Sequence, residues 1–123
     1  MNILQTDKAS QAVGPYSQGV DTGEVVYLSG QLGLNAEGEM LEGIEAQAHQ
    51  SLKNIETLLK EVGLGFEHVV KTLVLLDDIK DFQVVNEIYG QYFKEPYPAR
   101  SAFAVESLPL SGLVEIEVIA KRP

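Results

Sequence analysis

Cysteine is missing from all 123 residues. Disulfides, thiolate nucleophiles and thiolate metal sites are therefore excluded by inventory, and a reducing compartment is permitted. Basic residues are scarce: nine Lys and Arg stand against eighteen Asp and Glu, for a formal charge of −9. A field of that sign repels phosphate over the range on which nucleic-acid binding depends, so no nucleic-acid partner is expected. The acidic residues are spread along the chain rather than gathered in a tail, which is the pattern of a solvated surface. No apolar run approaches membrane-spanning length, and Met1-Asn2-Ile3-Leu4-Gln5-Thr6-Asp7 lacks a basic leader ahead of an apolar core. The expectation is an unprocessed cytoplasmic protein with no membrane contact. Repeats, low-complexity stretches and Pro/Ser-rich linkers are also absent, so residues 1–123 are expected to fold as one domain. There is no G-x-G-x-x-G, P-loop or G-x-S-x-G to carry a dinucleotide, nucleotide or serine-hydrolase reading. His49 and His68 lack metal-ligand spacing, and His49, four residues after Glu45, reads as half of a surface pair, so no metal site is expected.

Val25-Val26-Tyr27-Leu28 reads as a strand, and Gly30 to Gly38 as a loop turning at Asn35-Ala36-Glu37-Gly38. From Glu45 onward Ala48, Leu52, Ile55, Leu59 and Val62 recur at helical steps, with Gln50, Lys53, Asn54, Glu56 and Lys60 on the other face. Gly63 is the expected C′ residue of that helix. Val69 to Leu76 is too apolar and β-branched for a surface strand and is expected inside a sheet. A second helix follows, with Asp81 as N-cap and Phe82, Val85, Ile88 or Tyr89, and Tyr92 on its apolar face, ending before Pro96 and Pro98. Ala99 to Val105 and Val114 to Ala120 complete the strands. Two helices cannot cover both faces of such a sheet, so the expected architecture is α+β, a mixed sheet with both helices on one face. The bare face then requires a partner, and a symmetric ring of identical chains supplies one.

Two arginines occur, Arg122 in the tail and Arg100 at the head of a strand. A guanidinium offers a planar fork that fits a carboxylate bidentately, so Arg100 is either an anion-binding residue or the partner of an acidic residue of the same chain. Glu115 and Glu117 share one side of the last strand; they are either surface carboxylates or, for one of them, a buried general acid or base. Tyr16 follows Pro15 and offers a phenol, and Ser29 and Gly30 offer a hydroxyl and an approachable N–H at a strand end. Core packing or a simple turn would also account for these three.

Gly14-Pro15-Tyr16-Ser17-Gln18, Leu28-Ser29-Gly30-Gln31, Asn86 to Tyr89, Pro98-Ala99-Arg100-Ser101 and Val114-Glu115-Ile116-Glu117-Val118-Ile119-Ala120, in this order and spacing, resemble the Rid (YjgF/RidA) family over essentially the whole chain. The resemblance implies a chorismate-mutase-like fold, a homotrimer whose sheets line a central barrel, and sites in clefts between subunits. It implies hydrolytic deamination of 2-aminoacrylate and related enamine/imine acids, of the 2-iminobutanoate/2-iminopropanoate type, to 2-keto acids and ammonia. No cofactor or metal is implied, and pyridoxal-phosphate dehydratases are the implied source of the carboxylate substrate. By the same resemblance Arg100 binds the substrate carboxylate, Glu115 assists the attacking water, Tyr16 and Ser29 complete the catalytic set, and Gly30 and Asn86 are substrate contacts. Many relatives carry a cysteine two residues after the arginine; Ala102 stands there in this chain, which changes the expected pocket wall, and the Asn86 to Arg100 segment is short. The competing functions are a non-catalytic 2-keto acid-binding regulatory protein and an endoribonuclease.

Overall fold

Strand alternation and helical periodicity sort the chain into β1 (Asn2–Leu4), β2 (Gly19–Asp21), β3 (Val25–Leu28), β4 (Gln31–Leu32), α1 (Ile44–Glu61), β5 (Val69–Leu76), α2 (Phe82–Tyr92), β6 (Ala99–Ala104) and β7 (Val114–Lys121). The computed structural model describes all residues, Met1–Pro123. The seven strands form one mixed sheet in the order β1-β2-β3-β7-β5-β6, with β4 also paired to β7. Only β5 and β6 run parallel, and β5 is interior, flanked by β6 and β7 as its apolar run requires.

Along β7 the alternation is strict: Val114, Ile116, Val118 and Ala120 are buried, while Glu115 and Ile119 are half-buried and Glu117 is exposed. The buried set meets Ala48, Leu52, Ile55, Leu58 and Leu59 of α1 and Val85, Ile88 and Tyr89 of α2 in one continuous core, so both helices lie on one face. Each Val, Leu or Ile side chain among them contributes about 1.5–3 kcal/mol on removal from water. Leu52→Ala would cost about 2–5 kcal/mol through the cavity it leaves. The opposite face is bare, with Tyr27 48% and Phe103 49% exposed.

The end of α1 follows the expected motif. Gly63 takes φ +74, its N–H reaches Lys60 O, and Leu64 N–H reaches Leu59 O, the paired bonds of a Schellman cap. Three details differ from expectation. Asn54 is buried rather than solvated: its Nδ2 donates to Leu32 O and Leu34 O (3.3 and 2.8 Å), beside Ser51 Oγ to Gln31 O (2.6 Å) and Gln47 Nε2 to Leu41 O (2.9 Å). This polar stripe of α1 bonds carbonyls of the 31–41 segment and so ties that segment to the helix. That segment is not wholly loop, because Gln31–Leu32 pairs with β7; the turn at Asn35 to Gly38 is present. Finally, Asp81 precedes α2 but makes no capping bond; Asp78 Oδ1 accepts Lys80 N–H at 3.0 Å and opens a 3-10 turn, Ile79–Asp81, that leads straight into the helix. With Asp81 already in helical φ/ψ, its side chain does not sit where a cap must.

No helix is long and apolar enough to cross a membrane.

Candidate active site

Two strands share one stretch of β7 with a step in register between them. Tyr27 of β3 pairs with Ile119, whereas Gln31 of β4 pairs with Ile116. Residues 28–30 thus oppose residues 117–118, three against two, which is a β-bulge. The extra residue places Ser29 and Gly30 out of the ladder. Ser29 Oγ donates to Ser17 O at 2.6 Å and Ser29 N–H to Gln18 O at 3.0 Å, which fastens the Gly14-to-Gln18 segment over the bulge.

Gln18 is the hub of that segment. It is buried, its Oε1 accepts Thr6 N–H at 2.7 Å, and its Nε2 donates to Thr6 O and Ser10 O at 3.0 and 2.9 Å. Every polar atom of the amide is engaged, so residues 6–18 are held without strand pairing along most of their length. The sequence motif contains Gln18, but nothing in its spacing reveals this role. Tyr16 emerges from the segment half-exposed, its hydroxyl accepting Val13 N–H at 3.3 Å.

Between this segment, the bulge and β7 lies a cavity of about 410 Å³ that brings together Tyr16, Ser29, Gly30 and Glu115. The Glu115 carboxyl lies so close to Gly30 that a Cβ there would stand 2.9 Å from it, so any larger residue would push the carboxyl out of its present position. Glu115 is half-buried, and burial first, then the negative charge of Glu117, pushes its carboxyl above the usual carboxylate range. A carboxyl raised in this way holds a proton more readily than a solvated one and is suited to taking and returning it. Beneath the cavity, Gln31 Oε1 is buried without a hydrogen-bond partner, while its Nε2 donates to Ser29 O at 3.1 Å.

Arg100 and Asn86 are elsewhere. Arg100 is opposite Thr72 in register, and Thr72 is opposite Val118, so the Arg100 side chain belongs to the helix face at the edge strand. Glu115 is opposite Leu75 and Leu32 on the other face. The guanidinium carbon lies 4.9 Å from the Tyr89 ring centroid and 5.6 Å from that of Phe82, and Nη1 donates to Asn86 Oδ1 at 2.7 Å. No carboxylate lies within salt-bridge distance of Arg100, so it is not tied to an acidic residue of its own chain. It borders a second cavity of about 350 Å³, shared with Asn86, Tyr89, Gly90, Tyr97 and Pro98. The two cavities therefore lie on opposite faces of one sheet.

Ala102, expected on the pocket wall, borders neither cavity and packs against the main core from β6. His49 is not paired to Glu45; its Nδ1 lies 2.7 Å from the Tyr92 hydroxyl across the α1/α2 contact. No group of three or more metal-binding side chains occurs. Two apolar residues at the mouth of the larger cavity, Val13 and Leu110, carry no motif in the sequence that would single them out.

Known proteins share this sequence pattern and this fold. The family model described as endoribonuclease L-PSP matches residues 6–122. A human protein named 2-iminobutanoate/2-iminopropanoate deaminase is 48% identical over 120 residues, covering 96% of this chain and 88% of its own. Among solved structures, RidA from the Antarctic bacterium Psychrobacter sp. superposes with a TM-score of 0.96 at 47% identity, covering 99% of this chain and all of its own. TdcF from E. coli, solved with bound serine, superposes at 0.95 with 38% identity over the full length of both chains. A match of this extent, on a fold and motif set already pointing the same way, makes the chain a member of the endoribonuclease L-PSP family, the family also called Rid or YjgF/RidA.

Proposed function

We propose that this protein hydrolyses 2-enamine and 2-imine acids of the 2-iminobutanoate/2-iminopropanoate type to 2-keto acids and ammonia, in sites shared between subunits of a chorismate-mutase-like homotrimer. The observation that carries the reading is the division of the machinery. An open guanidinium and a half-buried carboxyl, which the reaction needs side by side, lie on opposite faces of one sheet. A second copy docked on the bare face offers the missing half. The names of the close relatives support the chemistry.

In this reading Arg100 of the partner subunit grips the substrate carboxylate through two parallel hydrogen bonds and sets C2 over the Glu115 cavity. Glu115 takes a proton from water as its oxygen bonds to C2 and the C=N π pair moves to nitrogen. The Glu115 carboxyl returns that proton to the nitrogen to give the carbinolamine, then takes the carbinolamine hydroxyl proton and passes it to the amine, so that the oxygen pair closes C=O as the C–N bond breaks and ammonia leaves. Ser29 and Gly30 shape the floor and Tyr16 offers a phenol at the rim, while Asn86 holds the guanidinium in place. The imine comes from pyridoxal-phosphate dehydratases working in the same cytoplasm.

A serine or threonine dehydratase that generates the imine, with keto acid release followed in the presence and absence of this protein, tests the activity. Mixing tests the shared site. Arg100→Lys and Glu115→Gln are each inactive alone, and refolding them together restores about a quarter of the sites by random assortment in a ring. No recovery in mixed trimers would place both residues in one chain's site and sink the arrangement; keto acid binding without acceleration would leave a carboxylate sensor. The family model's description names an endoribonuclease, but a formal charge of −9 is ill suited to gripping RNA phosphates.

A further inference from the structure

We infer that Leu110 and Val13 form an apolar specificity wall, so that the site prefers 2-imino acids with extended or branched apolar side chains over the three-carbon imine and over acidic ones. The inference rests on the imine-hydrolase reading and concerns the part of the ligand that neither Arg100 nor Glu115 holds.

Leu110 is 61% and Val13 73% exposed, and both border the cavity that contains Glu115. Leu110 takes φ +57, ψ +28, and Ser111 follows at φ +59, two left-handed residues in succession without a glycine. Leucine rarely adopts this conformation, because Cβ crowds the following carbonyl. The loop is fixed there: Gly112 N–H bonds Pro109 O at 3.0 Å, and a Cβ on Gly112 would stand 2.8 Å from Leu32 Cδ2. Leu110 belongs to neither of the chain's apolar clusters, although Leu108, two residues before it, is buried in one. The unfavourable backbone thus presents an apolar side chain to the cavity mouth rather than to the protein's own core.

The remainder of the wall is of the same kind. Most polar side chains there are already engaged: Gln11 Nε2 donates to Thr6 O and Ala9 O, Gln18 is saturated, and Ser29 Oγ is bonded to Ser17 O, whereas Gln31 Oε1 is an acceptor left without a partner. A polar ligand side chain would find few partners to replace its hydration, and an acidic one would meet the Glu115 carboxyl and the Gln31 oxygen, both acceptors. The cavity of about 410 Å³ is larger than a three-carbon imino acid fills, and Ala12, Leu32, Leu34 and Pro109 extend its apolar lining.

The test is a ratio. Alanine-, leucine- and aspartate-derived imines are generated in situ by an amino-acid oxidase, and kcat/KM is measured for wild type, Leu110→Gly, Val13→Ala and Leu110→Met. Glycine is at ease at φ +57, so Leu110→Gly keeps the fold, as melting will report. Wild type is expected to favour the leucine-derived imine. Leu110→Gly lowers the leucine-to-alanine ratio about tenfold or more, the scale of lost apolar pocket contacts. Val13→Ala shifts the ratio the same way, and Leu110→Met preserves it. An unchanged ratio in folded, active Leu110→Gly overturns the inference, as does a variant altered only in the mass of its assembly. The Kd ratio of 4-methyl-2-oxopentanoate to pyruvate, read by calorimetry, tests the wall even if no imine is turned over, so its failure is distinct from failure of the hydrolase reading.

Discussion

Arg122, in the C-terminal tail, donates from Nη2 to Asp21 Oδ2 at 2.6 Å and from Nη1 to Val62 O at 3.0 Å, whereas Arg100 meets only a neutral amide and two aromatic rings. Both are guanidiniums at the end of a strand. The first has its charge cancelled by a carboxylate that is 9% exposed and ties the last residues to β2 and the end of α1. The second leaves the outer edge of its fork without a partner, and its stacking fixes direction without cancelling charge. A charge that the fold has neutralised holds the protein together; a charge oriented and left open is available to a ligand.

The largest effect that separates the two is on turnover. Arg100→Lys is expected to lower kcat/KM at least about 100-fold while the melting temperature stays put, since a point charge cannot reproduce two parallel bonds to a carboxylate. Near-normal activity in that folded variant would erase the contrast. Next comes Glu115→Gln, expected to keep keto acid affinity by calorimetry and lose about 10²–10⁴-fold in rate, as for loss of a general base. Because burial holds this carboxyl above its usual 4.5, the folded state binds the extra proton and its stability falls as pH rises through that raised value. Glu115→Gln should therefore melt higher than wild type at neutral pH and alike at pH 4. Glu117→Gln should stay active and move the acid limb of the rate profile downward by removing the neighbouring charge.

Arg122→Ala and Asp21→Asn sharpen the other side of the contrast: turnover unchanged, melting temperature lowered at neutral pH. The hydrogen bond from Arg122 first, and the Gly23 N–H second, hold the Asp21 carboxyl below its usual 3.8. The stability it confers is present above that pH and lost as pH falls through the lowered value, so the wild-type advantage over Asp21→Asn should vanish in strong acid. The smallest expected effect is Gly63→Ala, about 1 kcal/mol of stability from forcing a Cβ into φ +74, with no change in rate. Loss of activity there would mean that the helix end communicates with the site.

Much of this was legible before any coordinates. The period of α1, its Gly63 stop, the strict alternation of β7 and the shortage of helices relative to strands are local patterns, and each fixes one element or one face. What stayed hidden depends on neighbours distant in sequence. Gln47, Ser51 and Asn54 fall at helical spacing, yet only the passage of residues 31–41 along that side of α1 makes them interior. Arg100 could equally have met an acidic residue, and the register of β6 on β5 decides that it does not. His49 looked like a partner for Glu45 until α2 brought Tyr92 alongside. Leu110 is invisible for a different reason, because nothing in Leu108-Pro109-Leu110-Ser111-Gly112 announces two left-handed residues.

Gln18 has one more consequence. Residues between Ser10 and Gln18 form the outer wall of the Glu115 cavity; behind them Ala9 sits in the core and Thr6 bonds Glu61, so the wall itself is held largely by the Gln18 amide and the two Ser29 bonds. The Ser10-to-Ser17 stretch can detach and return while Ala9, one of the 21 core residues, stays packed, as a cooperative unit of its own with a lower opening free energy than the sheet. The amide hydrogens of Thr6 and Ser29 then exchange with solvent together, ahead of those in β5 and β7. Each such excursion exposes the cavity along its full length, so the lifetime of a single glutamine's hydrogen bonds sets how often the reaction chamber breathes.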